Sequence, residues 1–150
     1  MVLDKKISLD QLEDLAAEIN REWLKPFLAS QGTFCLWLQG PMGAGKTTLC
    51  SYLLHDLGLS PFIPVTSPTY AYMNEYCIGD ANFAHLDLYR LPETSDPEEL
   101  GLTSDHEFSG LLIEWPEKIS DQSLIKPDFV LEISRATDLG ERHYRLHRSS

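Results

Sequence analysis

The chain has 150 residues, 43% of them hydrophobic and 23% charged, with a formal net charge of −11. That length suits one domain around one core, and the composition is that of a globular protein that folds without staples. The acidic balance argues against a free-standing nucleic-acid binder, which needs a basic face. No apolar run approaches the roughly 18 residues that a bilayer-spanning helix requires.

The ends and the cysteines narrow the class further. Met1 to Asp10 carries Lys5 and Lys6 with no apolar stretch behind them, so no targeting segment is expected and the expected location is cytoplasmic, with no membrane partner. Cys35, Cys50 and Cys77 form no Cys-x-x-Cys pair. They read as reduced, mostly buried thiols, and none sits in a nucleophile context.

In chain order, Ser8 to Lys25 predicts an amphipathic helix, because Leu12, Leu15, Ala16, Ile19 and Trp23 recur at helical spacing. Ser8 with Gln11 makes a capping box, and Pro26 follows the expected end. Thr33 to Gln39 predicts a buried strand, and Lys46 to Leu57 a helix with Gly58 as its stop. Between Pro61 and Pro68 the chain is expected to be extended and irregular. Tyr70 to Ile78 and Phe83 to Tyr89 predict a hairpin around the turn Gly79-Asp80-Ala81-Asn82. Asp96 and Pro97 predict the start of a short helix. Leu111 to Ile113 predicts a strand ending in Glu114, and Pro116 to Leu124 a short helix. Phe129 to Ser134 and His143 to Arg148 predict two more strands, with Phe129, Leu131, Ile133, Tyr144 and Leu146 facing inward. Strand, loop, helix and further strands together predict an α/β layer fold. The expectation is a single domain over residues 1–150, with a mixed central sheet flanked by helices, of P-loop NTPase type on the strength of the Gly40 to Thr47 stretch.

The charge is uneven along the chain. Glu93 to Glu107 holds six acidic residues and no Lys or Arg, and Arg135 to Arg148 holds four Arg. Both stretches read as solvated surface, or the basic end meets a phosphate-rich or acidic partner.

The chemistry concentrates at Gly40-Pro41-Met42-Gly43-Ala44-Gly45-Lys46-Thr47, which fits G-x-x-x-x-G-K-[ST] in full. Gly40, Gly43 and Gly45 permit backbone angles that side chains block. The loop can then wrap close to phosphates, aim its N–H groups at them and add the positive end of the following helix. Lys46 supplies a charge to the β- and γ-phosphates, and Thr47 a hydroxyl to Mg²⁺. Thr48, with Gly43, Ala44 and Gly45, completes the expected nucleotide-binding set. A predicted strand before the loop and a predicted helix after it supply the context the motif needs.

Such a loop also needs a carboxylate at the end of a neighbouring strand. Asp87 and Glu114 both qualify. One would hold the metal while the other orients the attacking water, and spacing alone does not divide the roles.

Beside the loop stand Ser67-Pro68-Thr69-Tyr70, Asn74-Glu75-Tyr76, His85-Leu86-Asp87-Leu88-Tyr89-Arg90-Leu91 and Ile113-Glu114-Trp115-Pro116-Glu117. In this order, from Gly40 to Glu117, the blocks resemble the bacterial ATPase family TsaE, which serves in making the threonylcarbamoyladenosine modification of tRNA. The resemblance implies phosphate and metal roles for Lys46 and Thr47, a Mg²⁺-binding role for Glu114 and a part in hydrolysis for Asp87. It implies a switch near the γ-phosphate at Thr69. Trp115 follows the metal acid as in the family, or is a core aromatic; His85 and Tyr89 are assigned to packing or hydrogen bonding. Pro41 and Met42 depart from the Asp and Leu often found there, and their side chains are expected to point away from phosphate. Adenine contacts from Ser8, Gln11, Arg135 or Arg142 stay open.

The implied activity is Mg-dependent ATP hydrolysis that drives the TsaD and TsaB proteins, with tRNA contacted mainly through those partners. Two other classes remain in view. A small-molecule kinase needs an Arg-bearing lid, and only Arg90 lies between the loop and Glu114. A nucleotide-dependent binding switch with negligible turnover would carry the same metal and phosphate residues.

Overall fold

The structure is a computed structural model and describes residues 1–68, 72–89, 108–119, 125–136 and 140–149. Strand β1 (Leu3–Ser8) is followed by a single 3-10 turn, Leu9–Gln11, and helix α1 (Leu12–Ile19). A π turn, Asn20–Leu24, leads into α2 (Lys25–Gln31). Then come β2 (Phe34–Gln39), α3 (Lys46–Asp56), β3 (Met73–Ile78), β4 (Ala81–Asp87) and β5 (Gly110–Glu114). A 3-10 turn, Pro116–Lys118, precedes β6 (Phe129–Arg135) and β7 (Glu141–Arg148).

The seven strands form one sheet in the order β1-β7-β6-β2-β5-β4-β3. The middle pairs, β6·β2, β2·β5 and β5·β4, are parallel, and the outer pairs are antiparallel. The mixed α/β sheet is therefore as expected. Central strands buried on both faces read as continuous apolar runs, and Phe34-Cys35-Leu36-Trp37-Leu38 is such a run. One core lies under α1 and α3 and includes Leu12, Ile19, Leu36, Leu53, Leu112 and Leu131. A second lies on the opposite face around Trp37, Leu86, Leu88 and Ile113. Phe129, Leu131, Ile133, Tyr144 and Leu146 are all buried, as their alternation predicts.

Two expectations at the N-terminus need correction. Leu3–Ser8 is a strand, although only Leu3 and Ile7 offer apolar side chains to the core. It forms by pairing with β7, with Leu3 opposite Leu146 and Ile7 opposite Arg142. The helical run also does not end before Pro26. It continues to Gln31, because the π turn sets a new start and Pro26 falls in the first turn of α2, where no N–H is needed. Gly32, at φ 83, ends it, its N–H bonding to the Leu28 carbonyl at 2.8 Å. The capping box is present: the Ser8 N–H donates to Gln11 Oε1 at 3.1 Å.

After Trp115, the regular helix is one turn, Pro116–Lys118, and residues 120–124 of the expected longer helix lie outside the described residues. So does the helix expected at Asp96 and Pro97. Among the described residues, no helix is long and apolar enough to cross a membrane. Cys35 and Cys50 are buried and Cys77 is exposed. Burial, with Asp128 beside it, pushes the Cys35 thiol up to about 12, so it stays protonated.

Candidate nucleotide site

Strand β2 ends at Gln39 beside β5, and the chain leaves the sheet through Gly40 to Gly45 before α3 begins. Gly40 packs against β6 so closely that a Cβ there would lie 2.8 Å from the Ile133 carbonyl oxygen. Gly43 and Gly45 have φ of 80 and 92, angles that glycine adopts at no steric cost. A Cβ at either would meet no protein atom within 4 Å, so the loop surrounds free space. The first turn of α3 has no side-chain cap, so its N–H groups are free for an anion.

Lys46 is 5% exposed. Its Nζ donates to the Gly40 carbonyl at 2.5 Å and lies 3.7 Å from the centre of the Trp115 ring. Among the described residues it has no ion-pair partner. Burial lowers its pKa, against the opposing pull of Glu114, Glu117 and Asp87. A buried cation without a counter-ion is costly, and a phosphate in the loop would supply one.

The two acids lie side by side. Asp87 and Glu114 are opposite each other in the register of β4 and β5, at the carboxyl ends of parallel strands where α/β sheets bind ligands. Their surroundings differ. Glu114 is 2% exposed, accepts a hydrogen bond from Thr47 Oγ1 at 2.9 Å, and has His85 Nε2 at 2.5 Å from the same oxygen, Oε2. Asp87 is half-buried and accepts from Ser67 Oγ at 2.6 Å and the Tyr89 N–H at 3.2 Å.

Both acids line a cavity of about 480 Å³ together with Gly43, Ala44, Gly45, Lys46, Thr47 and Thr48. Its aromatic side is Tyr72, Tyr89 and Trp115, with the Tyr89 and Trp115 rings 4.9 Å apart. Tyr72 and Trp115 have φ of 58 and 61. Left-handed backbone costs a bulky residue about 1–2 kcal/mol, and such strain gathers at ligand sites.

The donor set at the cavity fits a hard cation. Mg²⁺ prefers a hydroxyl, one or two carboxylates, phosphate oxygens and water, and Thr47 with Glu114 offers the protein's share. Behind them, Cys50, His85 and Glu114 place ligand atoms within 4.8 Å of one another. Burial, reinforced by Glu114 and Asp87, holds the Cys50 thiol well above its ordinary range. It stays protonated, and a neutral thiol does not add a metal ligand.

The family model described as "Threonylcarbamoyl adenosine biosynthesis protein TsaE" matches residues 7–144. The chain belongs to the TsaE family. A TsaE from Aquifex aeolicus is 35% identical over 153 residues, covering 99% of each chain. One from Bacillus subtilis is 36% identical over 104 residues, 69% of this chain and 63% of the relative. One from Haemophilus influenzae is 40% identical over 95 residues, 61% of this chain and 57% of that one. The curated name of all three is "tRNA threonylcarbamoyladenosine biosynthesis protein TsaE". The crystal structure of YdiB from Bacillus subtilis aligns with a TM-score of 0.63 at 24% identity, covering all of this chain and 88% of that one, and shares its fold.

Within this TsaE-family chain, the loop residues and both acids meet at one cavity, whereas Thr69 lies outside the described residues. Arg90 also lies outside them. Trp115, for which packing and site roles were both open, lines the cavity. Met42, whose side chain is expected to point away from phosphate, is 61% exposed and is among the residues that line the cavity. Ser8, Gln11, Arg135 and Arg142 do not line it. Sequence reasoning assigned His85 to packing or hydrogen bonding and did not identify Glu114 as its partner. The signal was the alternation of β4, which puts His85 on the same face as Asp87 two residues later. It also gave Ser67 no role of its own, and here the Ser67 hydroxyl holds Asp87.

Proposed function

We propose that this chain binds ATP with Mg²⁺ at the Gly40 to Thr48 loop and hydrolyses it as an accessory step of tRNA N6-threonylcarbamoyladenosine modification. The observation that carries this reading is the hydrogen bond from Thr47 to buried Glu114 beneath a glycine loop open to solvent. The loop N–H groups and Lys46 bind the phosphates. Thr47 and Glu114 would hold Mg²⁺, which supplies charge neutralisation on the phosphate oxygens. Asp87, at the cavity mouth, orients a water and accepts its proton.

The partners in this reading are the TsaD and TsaB proteins, with tRNA contacted mainly through them. Thr69 senses the γ-phosphate, as switch segments do. The family's role supports the pathway, and the cavity supports the nucleotide. The test measures phosphate release by the purified chain, alone and with the TsaD–TsaB pair, alongside the modified-nucleoside content of the tRNA. Slow release that the pair changes is expected. Nucleotide binding without phosphate release under either condition would leave a binding switch in place of an ATPase, and a phosphorylated metabolite would mark a kinase.

A further inference from the structure

The chemistry above leaves a buried polar side chain at the site without a role. His85 is fully buried on β4, and an imidazole so placed needs a partner. It has one on Nε2, which lies 2.5 Å from Glu114 Oε2, and none on Nδ1 among the described residues. A carboxylate oxygen accepts, so the contact places a proton on Nε2 and makes His85 the donor.

Thr47 Oγ1 donates to the same carboxylate oxygen. The two donors differ in kind. The Thr47 hydroxyl rotates and is itself a metal-binding group, whereas the imidazole is locked by burial in the sheet. We infer that His85 is a positioning residue: its Nε2–H holds Oε2 of Glu114 and so fixes the orientation in which the carboxylate meets the metal. This rests on the reading of Glu114 as a Mg²⁺ group. Groups that hydrogen-bond metal ligands in this way typically change metal affinity by about 10- to 100-fold when removed.

Two substitutions test it, with Mn²⁺ as the probe. His85→Phe fills the space and removes the donor; His85→Gln returns an N–H at similar reach. Mn²⁺ affinity of the ADP complex is read by electron paramagnetic resonance, and ADP affinity without metal by calorimetry. His85→Phe is expected to weaken Mn²⁺ by about tenfold or more while metal-free ADP binding stays within about twofold, and His85→Gln to recover most of the loss. Wild-type Mn²⁺ affinity in His85→Phe overturns the inference. So does an equal loss of metal-free ADP affinity, which marks general damage. If wild-type protein takes up no Mn²⁺ with ADP, the metal reading of Glu114 fails and this one with it. Should His85→Phe not fold, histidine-labelled wild-type protein decides by magnetic resonance. Adding Mg²⁺ to the ADP complex should shift the His85 ring N–H signal, and an unmoved signal overturns the inference.

Discussion

The centre of the sheet and its β1–β7 flank use polar groups in opposite ways. At the centre, β2 is buried along five consecutive residues, and Glu114, His85 and Lys46 sit at or near the strand ends almost without solvent. On the flank, β7 alternates, with Tyr144 and Leu146 inward and His143, Arg145 and His147 on the open face. There His143 pairs with Asp4, and His147 lies 3.6 Å from Glu132. The side chains of both flank pairs are partly exposed, although His147 Nε2 and Arg145 Nε are themselves buried without a hydrogen-bond partner among the described residues; exposed pairs are worth about 0.2–1 kcal/mol. At the centre, a donor or acceptor stripped of its partner has no water to turn to and costs about 1–3 kcal/mol, more if charged. Buried polar groups are therefore placed for a reason, and the flank can vary.

The strongest way to break this contrast is Lys46→Ala. It removes a cation that has no ion-pair partner among the described residues. Hydrogen bonds to charged groups are worth about 1.5–3 kcal/mol each, and about 1.4 kcal/mol is tenfold in affinity. Two contacts to phosphate therefore predict a loss on the order of a hundredfold in ATP affinity by calorimetry. The melting temperature should hold or rise, since a desolvated charge disappears. Unchanged ATP affinity would refute the loop as the phosphate site.

The two acids sharpen the contrast within the site. Asp87→Asn keeps the shape at the cavity mouth and removes the proton acceptor, so turnover should fall by about a hundredfold or more while ATP affinity survives. Glu114→Ala should instead raise the Mg²⁺ concentration needed for half-maximal hydrolysis by about tenfold or more. A magnesium titration of initial rates separates them. Normal Mg²⁺ dependence with full turnover in Glu114→Ala would remove Glu114 from the metal site. Loss of binding with intact turnover per bound ATP would remove Asp87 from catalysis.

What was legible in the sequence follows the range of the interactions. The glycine loop is eight consecutive residues whose backbone demands are local, so the motif from Gly40 to Thr47 could be read directly. The central strands were legible because burial on both faces makes them apolar throughout. By spacing alone Asp87 and Glu114 stood as equals, since both end strands, and only the family resemblance divided them. In the structure Glu114 stands apart by its burial and by its contacts with Thr47, 67 residues away, and His85. His85 was assigned only to packing or hydrogen bonding for the same reason: the partner that gives it a role is 29 residues on. Strand β1 has just two core-facing apolar residues, and its place is set by β7 at the other end of the chain. Pro26 misled because its meaning depends on the π turn before it, a hydrogen-bonding detail that apolar periodicity does not encode.

The smallest expected effect lies on the flank, where Asp4→Ala breaks the contact with His143. Its side chains are 46% and 19% exposed. The backbone pairing of β1 with β7 does not depend on it, because Leu3 still buries against Leu146 across the ladder. The pair is worth no more than about 1 kcal/mol, and a solvated histidine left behind keeps water as a partner. Chemical denaturation of Asp4→Ala should therefore give a midpoint shift equivalent to less than about 1 kcal/mol with an unchanged slope. ATP affinity and the Mg²⁺ requirement should stay as in the wild type, because the site is built from β2, β4, β5 and α3. A loss above about 2 kcal/mol would mean that the flank pair is desolvated like the central groups, and the division between a solvated flank and a dry centre would not hold. A changed Mg²⁺ requirement would mean that β1 reaches the site through β7 and β6, which their register with β2 does not suggest.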